Sequence, residues 1–181
     1  MDFDRRWAKY NARSLALLRP LLGDDPGEVL DLACGTANLR PMVGSYVGVD
    51  ASTEMLLAAR RKFATVALAA AQAGALPFAD ARFDTVCCAS AFHIFPDPVG
   101  ALREVRRVLR PGGRLLLLDW SRGRLTMRAL NAYLRFTGDT YRRMYTLEEA
   151  GALLRGAGFR VVSAERRAID WLWELMVIEA S

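Results

Sequence analysis

The chain has almost no lysine: Lys9 and Lys62 stand against 23 arginines, so the formal net charge of +5 comes from guanidinium groups. These are spread among acids and apolar residues along most of the chain, which reads as solvated helix faces and not as a nucleic-acid tract. No appended basic domain or aromatic-rich RNA module accompanies them. Cysteine is scarce and odd in number. Cys34, Cys87 and Cys88 lack the spacing of metal ligands, and two are adjacent in an apolar run, so neither a disulfide framework nor a metal site is expected. A bilayer span is missing as well: the longest uncharged stretch, 63–79, is largely alanine interrupted by Thr65, Gln72, Gly74 and Pro77. The first ten residues carry charges of both signs with no apolar core behind them, unlike a signal peptide, and a cytoplasmic location is the expectation.

What is present is a globular composition. With 52% hydrophobic and 25% charged residues the chain is not disordered or repetitive, and 181 residues suffice for one domain with a sizeable core. Strand and helix signals alternate. Short apolar runs at 28–33, 46–50 and 83–89 are bounded by turn residues, and an alanine-dominated run covers 64–71. Four consecutive leucines in 114–119 are the pattern of a strand buried on both faces of a parallel sheet. Between these runs, 53–62 repeats Met55, Leu56 and Ala59 at helical spacing. Asp97-Pro98 starts a second helix that Pro111-Gly112-Gly113 stops. Residues 125–136 and 147–157 read as helices, the latter opened by a Thr146/Glu149 capping box, and two last strands are expected at 159–163 and 171–178. The expected fold is an α/β, Rossmann-like doubly wound sheet, mostly parallel, in a single domain over 1–181.

In such sheets ligands bind beyond the carboxyl ends of the strands, where strand order reverses. The first strand ends in Asp31-Leu32-Ala33-Cys34-Gly35-Thr36, small residues that let backbone approach a ligand. The second ends in Asp50, near the offset at which a carboxylate accepts hydrogen bonds from ribose hydroxyls. A nucleoside is implied. A dinucleotide would need G-x-G-x-x-G to bring a helix N-terminus to its pyrophosphate, and this turn has only Gly35. Asp31 would repel a phosphate but suits an ammonium or sulfonium group.

Five stretches in order carry a resemblance: VLDLACGTANL (29–39), YVGVDAS (46–52), ALPFADARFDTV (75–86), AFHIFPDP (91–98) and RVLRPGGRLLLLDW (107–120). Together they resemble the class I S-adenosylmethionine-dependent methyltransferases, nearest a short bacterial group similar to ubiquinone/menaquinone C-methyltransferases. The resemblance implies a sheet of about seven strands with an antiparallel last strand, residues 1–25 as an N-terminal helical cap, and 121–157 as a helical insert near the substrate side. It implies S-adenosyl-L-methionine as cofactor and S-adenosyl-L-homocysteine as product. Carried over by position, Asp31, Ala33 and Gly35 line the methionine part, with Cys34 as a small packing residue in the same cofactor-binding turn, Asp50 holds the ribose, and Ala51 and Met55 pack on the adenine. Gln72, beside Ala73, stands where the family has an acid that meets the adenine amino group. Ala37 replaces a usual glycine. Ala89 offers its carbonyl to the cofactor's amino group, with Phe92 beside it. Members that methylate base amines have an acid or asparagine followed by two prolines after the fourth strand; here Cys88-Ala89-Ser90-Ala91 stands there, so a small, apolar or aromatic molecule is the expected acceptor.

His93, the sole histidine, falls just past the fourth strand and is the catalytic candidate. Methyl transfer from a sulfonium is an in-line displacement that needs alignment and dryness above all. A base is needed only for a carbon or oxygen acid that must lose its proton, and imidazole suits that task. His93 as base, positioning group or structural residue are three open readings. Two other functions compete with the methyltransferase: a catalytically inactive cofactor-binding regulator and a nicotinamide-dependent oxidoreductase. The acceptor and the oligomeric state are not legible.

Overall fold

The computed structural model describes residues 3–137 and 141–181. A long helix, α1 (Phe3–Leu22), precedes β1 (Glu28–Leu32), β2 (Ser45–Asp50), α2 (Thr53–Lys62), β3 (Ala67–Ala70) and β4 (Phe83–Ala89). Then come α3 (Pro98–Val108), β5 (Leu109–Trp120), α4 (Leu125–Thr137), α5 (Leu147–Gly156), β6 (Val161–Ala168) and β7 (Glu174–Ala180). The seven strands form one sheet in the order β3-β2-β1-β4-β5-β7-β6. β7 runs antiparallel to both β5 and β6, and the other pairings are parallel. Strand order reverses between β1 and β4, which opens a crevice beyond their carboxyl ends.

The leucine run of β5 shows why the sheet sits in the middle. Leu115 and Leu117 pack on one face with Leu102, Val105 and Val108 of α3 and Leu154 of α5. Leu116 and Leu118 pack on the other with Leu18 and Leu22 of α1 and Ala59 of α2. Alternating side chains thus feed two separate cores, as the period of two requires. Local signals hold at the helix starts: Asp97 accepts a hydrogen bond from the Gly100 amide at 2.9 Å, and Thr146 and Glu149 close a reciprocal capping box.

Several boundaries differ from the sequence reading, and β3 covers only Ala67–Ala70 of the expected 64–71. α3 ends at Val108, and the chain is extended from Leu109, which pairs with Phe83, so Pro111-Gly112-Gly113 lies inside an irregular start of β5. Proline disfavours helical backbone in the residue before it, which ends the helix early. β6 continues through the polar Glu165-Arg166-Arg167, because it is an edge strand with only β7 beside it and both faces largely in water. β7 begins at Glu174, three residues later than expected, since 169–173 form the connection. Within 121–157 only α4 and the residues around 141–144 make a separate cluster, around Met127, Tyr141 and Met144; α5 is a layer helix of the main core. Among the described residues no helix is long and apolar enough to cross a membrane.

Candidate active site

After β1 the chain takes three left-handed residues at alternate positions, Ala33 (φ 57°), Gly35 (φ 53°) and Ala37 (φ 59°). Alanine in this region costs about 1–2 kcal/mol, so the turn keeps its shape against local preference. Tertiary hydrogen bonds hold it: the Cys34 amide donates to the Val49 carbonyl (3.0 Å) and the Gly35 amide to Asp50 Oδ2 (2.8 Å). Asp50 Oδ1 accepts from the Ser52 amide at 2.8 Å. Each carboxylate oxygen therefore has one backbone donor and lone-pair capacity left over.

Asp31 is held differently. It is buried, and the Tyr46 hydroxyl donates to its Oδ2 at 2.8 Å. Gly48 permits this approach, since a Cβ there would fall 2.9 Å from the Tyr46 hydroxyl oxygen and 2.8 Å from Cys34 Sγ. Burial, opposed by the Tyr46 hydrogen bond and reinforced by the nearby Asp50 charge, pushes the Asp31 carboxyl up to about 7. A cation placed against it would reverse that shift.

Two cavities meet at Ala33. The smaller, about 130 Å³, lies between Asp31, Cys34 and Gly35 on one side and Ala89 and Ser90 on the other, and is covered by Asn11, Ser14 and Leu15 of α1. The larger, about 640 Å³, has Asp50, Ala51, Gln72 and Ala73 along one wall and Ile94, Phe95, Pro96 and Arg142 along the other. Asp31, Ala33, Cys34, Gly35 and Ala89 are thus gathered at one cavity, and Ala33, Asp50, Ala51, Gln72 and Ala73 at the other.

Met55 and Phe92 depart from their expected places. Met55 is half-buried on α2 and lines neither cavity. Phe92 is sealed in the core against Phe95 and Tyr145, with ring centroids 5.7 and 5.2 Å away, because the turn 92–94 rotates its ring inward under the sheet end.

His93 lines neither cavity but is the centre of a constellation. Its Nδ1 lies 2.7 Å from Asp119 Oδ1, and its backbone amide donates to Asp119 Oδ2 at 2.7 Å. Asp119, fully buried at the end of β5, also accepts from the Trp120 amide at 2.7 Å. The His93 ring stacks on Trp120 at 4.0 Å between centroids and 12° between planes. Trp120 Nε1 in turn donates to the Tyr10 hydroxyl (2.7 Å), which lies 2.8 Å from Ser90 Oγ at the rim of the smaller cavity. With Asp119 ionised, Nδ1–H donates to it and the Nε2 lone pair is left for another partner; among the described residues Nε2 has none.

The family model of a methyltransferase domain matches residues 30–117. This stretch is therefore similar to a methyltransferase domain. Among curated proteins, the chain is 41% identical over 127 residues to the demethylmenaquinone methyltransferase of Thermus thermophilus, covering 65% of this chain and 55% of that protein. It is 28% identical over 190 residues to the ubiquinone/menaquinone biosynthesis C-methyltransferase UbiE of Geotalea uraniireducens, covering 87% and 78%. The chain spans about half the length of most of the first curated relatives it matches. A crystal structure of a SAM-dependent methyltransferase of Thermotoga maritima superimposes with a TM-score of 0.80 over 99% of this chain and 94% of that one at 23% identity, which shows the shared fold.

Several residues placed at or beside the crevice were not foreseen. Asp119 and Trp120 stand inside the quoted LLLLDW stretch, where an acid closing an apolar strand was the available signal. Tyr10, Asn11 and Ser14 come from α1; the resemblance implies a helical cap over 1–25, but no local pattern singles out these residues. Arg142 reaches the larger cavity from the segment after α4, a purely tertiary placement.

Proposed function

We propose that the protein is an S-adenosylmethionine-dependent methyltransferase acting on a small, apolar or aromatic acceptor. The observation that carries the reading is the pair of acids on adjacent parallel strands. Asp50 is oriented by two backbone amides at a nucleoside-sized cavity, and Asp31 is buried beside a second, smaller one. The residues fit this cofactor. Asp50 can accept both ribose hydroxyls, Gln72 can accept from the adenine amino group through its side-chain carbonyl, and Asp31 and the Ala89 carbonyl suit a positively charged amino-acid tail. Ala37 supports the reading too, since it adopts the left-handed backbone that suits the usual glycine at that place.

When bound, S-adenosylmethionine supplies an electrophilic methyl group on a sulfonium. The chain's own part is to align, exclude water and manage a proton. α1 covers the smaller cavity and is fastened at its start by Asp4, which accepts from Thr36 Oγ1 (2.5 Å) and Lys62 Nζ (3.1 Å). Asp119 and Trp120 fix the plane and tautomer of His93, so that Nε2 can take a proton from an acidic carbon or hydroxyl of the acceptor. α1 acts as a cap over this end. The quinone-directed relatives and the apolar wall of Ile94, Phe95 and Pro96 support a ring-bearing or apolar acceptor.

The test is incubation with S-adenosylmethionine and a panel of quinol, phenol and amine acceptors, followed by detection of S-adenosylhomocysteine. Product with a quinol or phenol is expected. Tight S-adenosylhomocysteine binding with no product from any acceptor would mark a regulatory homologue, and binding of NADH instead would overturn the reading.

A further inference from the structure

We propose that the outer face of α4, together with the loop before β7, is a docking surface for an anionic lipid bilayer. Leu125, Tyr133 and Phe136 of α4 are 79%, 63% and 89% exposed, and Trp171 of the loop is 78% exposed. Leu125 and Phe136 are eleven residues apart, so they lie almost on one line along the helix, roughly 16 Å from end to end. Trp171 is brought to the Leu125 end: Arg124 Nη1 donates to the Asp170 carbonyl (3.1 Å) and Thr126 Oγ1 to the Leu172 carbonyl (3.3 Å).

Core packing does not account for these side chains. The inner face of α4 does that with Met127, Leu130 and Leu134, which meet Trp120 and Trp173. A surface helix ordinarily turns polar residues outward, whereas this one is apolar on both sides. Its outward large side chains are exposed and line neither of the cavities described above.

Charge selects the occupant. α4 contains Arg128 and Arg135 and no acid. On α1, Arg6, Lys9 and Arg13 follow one another at helical spacing, and Arg13 Nη1 donates to the Ile169 carbonyl at 3.3 Å, so this basic stripe ends at the same loop. The acids at the junction are paired: Asp170 lies 3.8 Å from Arg13 and Glu174 lies 3.7 Å from Arg124. Projecting aromatic and aliphatic side chains rimmed by guanidinium groups match the acyl boundary and phosphates of an anionic leaflet. An apolar acceptor dissolved in that leaflet gives such docking a use, but the docking stands without the methyl-transfer reading.

The test is co-sedimentation of the full chain, without cofactor or acceptor, with vesicles of phosphatidylcholine plus phosphatidylglycerol and with vesicles of phosphatidylcholine alone. Binding to the anionic vesicles, weakened by salt, is expected. Phe136→Ser and Trp171→Ser should each weaken it by about tenfold, the scale of one large apolar side chain leaving a buried environment. Arg128→Glu combined with Arg135→Glu should weaken it and flatten its salt dependence, while Leu57→Ser, an exposed apolar control on α2, should leave it unchanged. Melting temperatures equal to the wild type establish that the variants are folded. The proposal is overturned by absence of binding to anionic vesicles, by binding that Phe136→Ser and Trp171→Ser do not alter, or by a concentration-dependent dimer that Phe136→Ser abolishes while no vesicles are bound.

Discussion

Three carboxylates close three strands at the same end of the sheet, yet two regions use them in opposite ways. At the ends of β1 and β2, Asp31 and Asp50 face cavities, and their protein partners leave acceptor capacity open. At the end of β5, Asp119 is sealed and spends its oxygens on His93 and the Trp120 amide. An open acid can bind something that arrives; a satisfied, buried one can only orient a neighbour. The proposed function builds on this contrast: it gives cofactor binding to the first region and the preparation of the group that acts on the acceptor to the second.

The largest expected effect breaks the second region alone. His93→Ala should lower turnover by about a hundredfold or more if Nε2 is the base, in the range usual for general-base catalysis, and leave S-adenosylhomocysteine affinity within about twofold. Asp119→Asn should lower kcat with KM for the methyl donor little changed. His93→Asn separates positioning from proton transfer: retained activity with an unchanged low-pH limb would mean that the ring only positions the acceptor. Normal turnover in folded His93→Ala would remove the catalytic role.

A smaller effect concerns pH in the first region. Because burial raises Asp31 to about 7, the native state holds its proton over a range where the unfolded chain has released it. The sign follows: this carboxyl's contribution to stability is fully present below about pH 4 and is lost as pH rises through about 7. Binding of a cationic ligand favours the ionised acid, so affinity for S-adenosylmethionine should rise with pH up to about 7 and then level off. Titrations across pH 5–8 check this, and Asp31→Asn should flatten the profile; an equally steep profile in Asp31→Asn would assign the titration elsewhere.

The smallest effect is at the adenine end, where Gln72→Ala should weaken S-adenosylhomocysteine binding by roughly fivefold, the value of one neutral hydrogen bond of about 1 kcal/mol. Unaltered affinity would show that Gln72, which is exposed at the cavity wall, does not read the nucleobase.

The same contrast explains what the sequence makes legible. Strand ends, glycine spacing and the acids at 31 and 50 are local features, and the first region is built almost wholly from two consecutive β-turn units, so its residues can be read in line. β4 and α2 match the expected bounds for the same reason. The second region is assembled from α1, the 92–94 turn and the end of β5, residues separated by 26 to 110 positions, and nothing local couples them. His93 could be singled out as the sole histidine, but its partner Asp119 depends on β5 lying beside β4. Phe92 packs against Phe95 and Tyr145, a tertiary contact that nothing local in the 91–98 stretch indicates.

The most direct measurement is a calorimetric titration of S-adenosylhomocysteine into wild type, Asp50→Ala and His93→Ala under one set of conditions. The account predicts that Asp50→Ala binds at least tenfold more weakly, through loss of charge-assisted hydrogen bonds of about 1.5–3 kcal/mol each before desolvation, while His93→Ala binds as the wild type does. Equal affinity in folded Asp50→Ala and wild type, or a greater loss in His93→Ala than in Asp50→Ala, would contradict it.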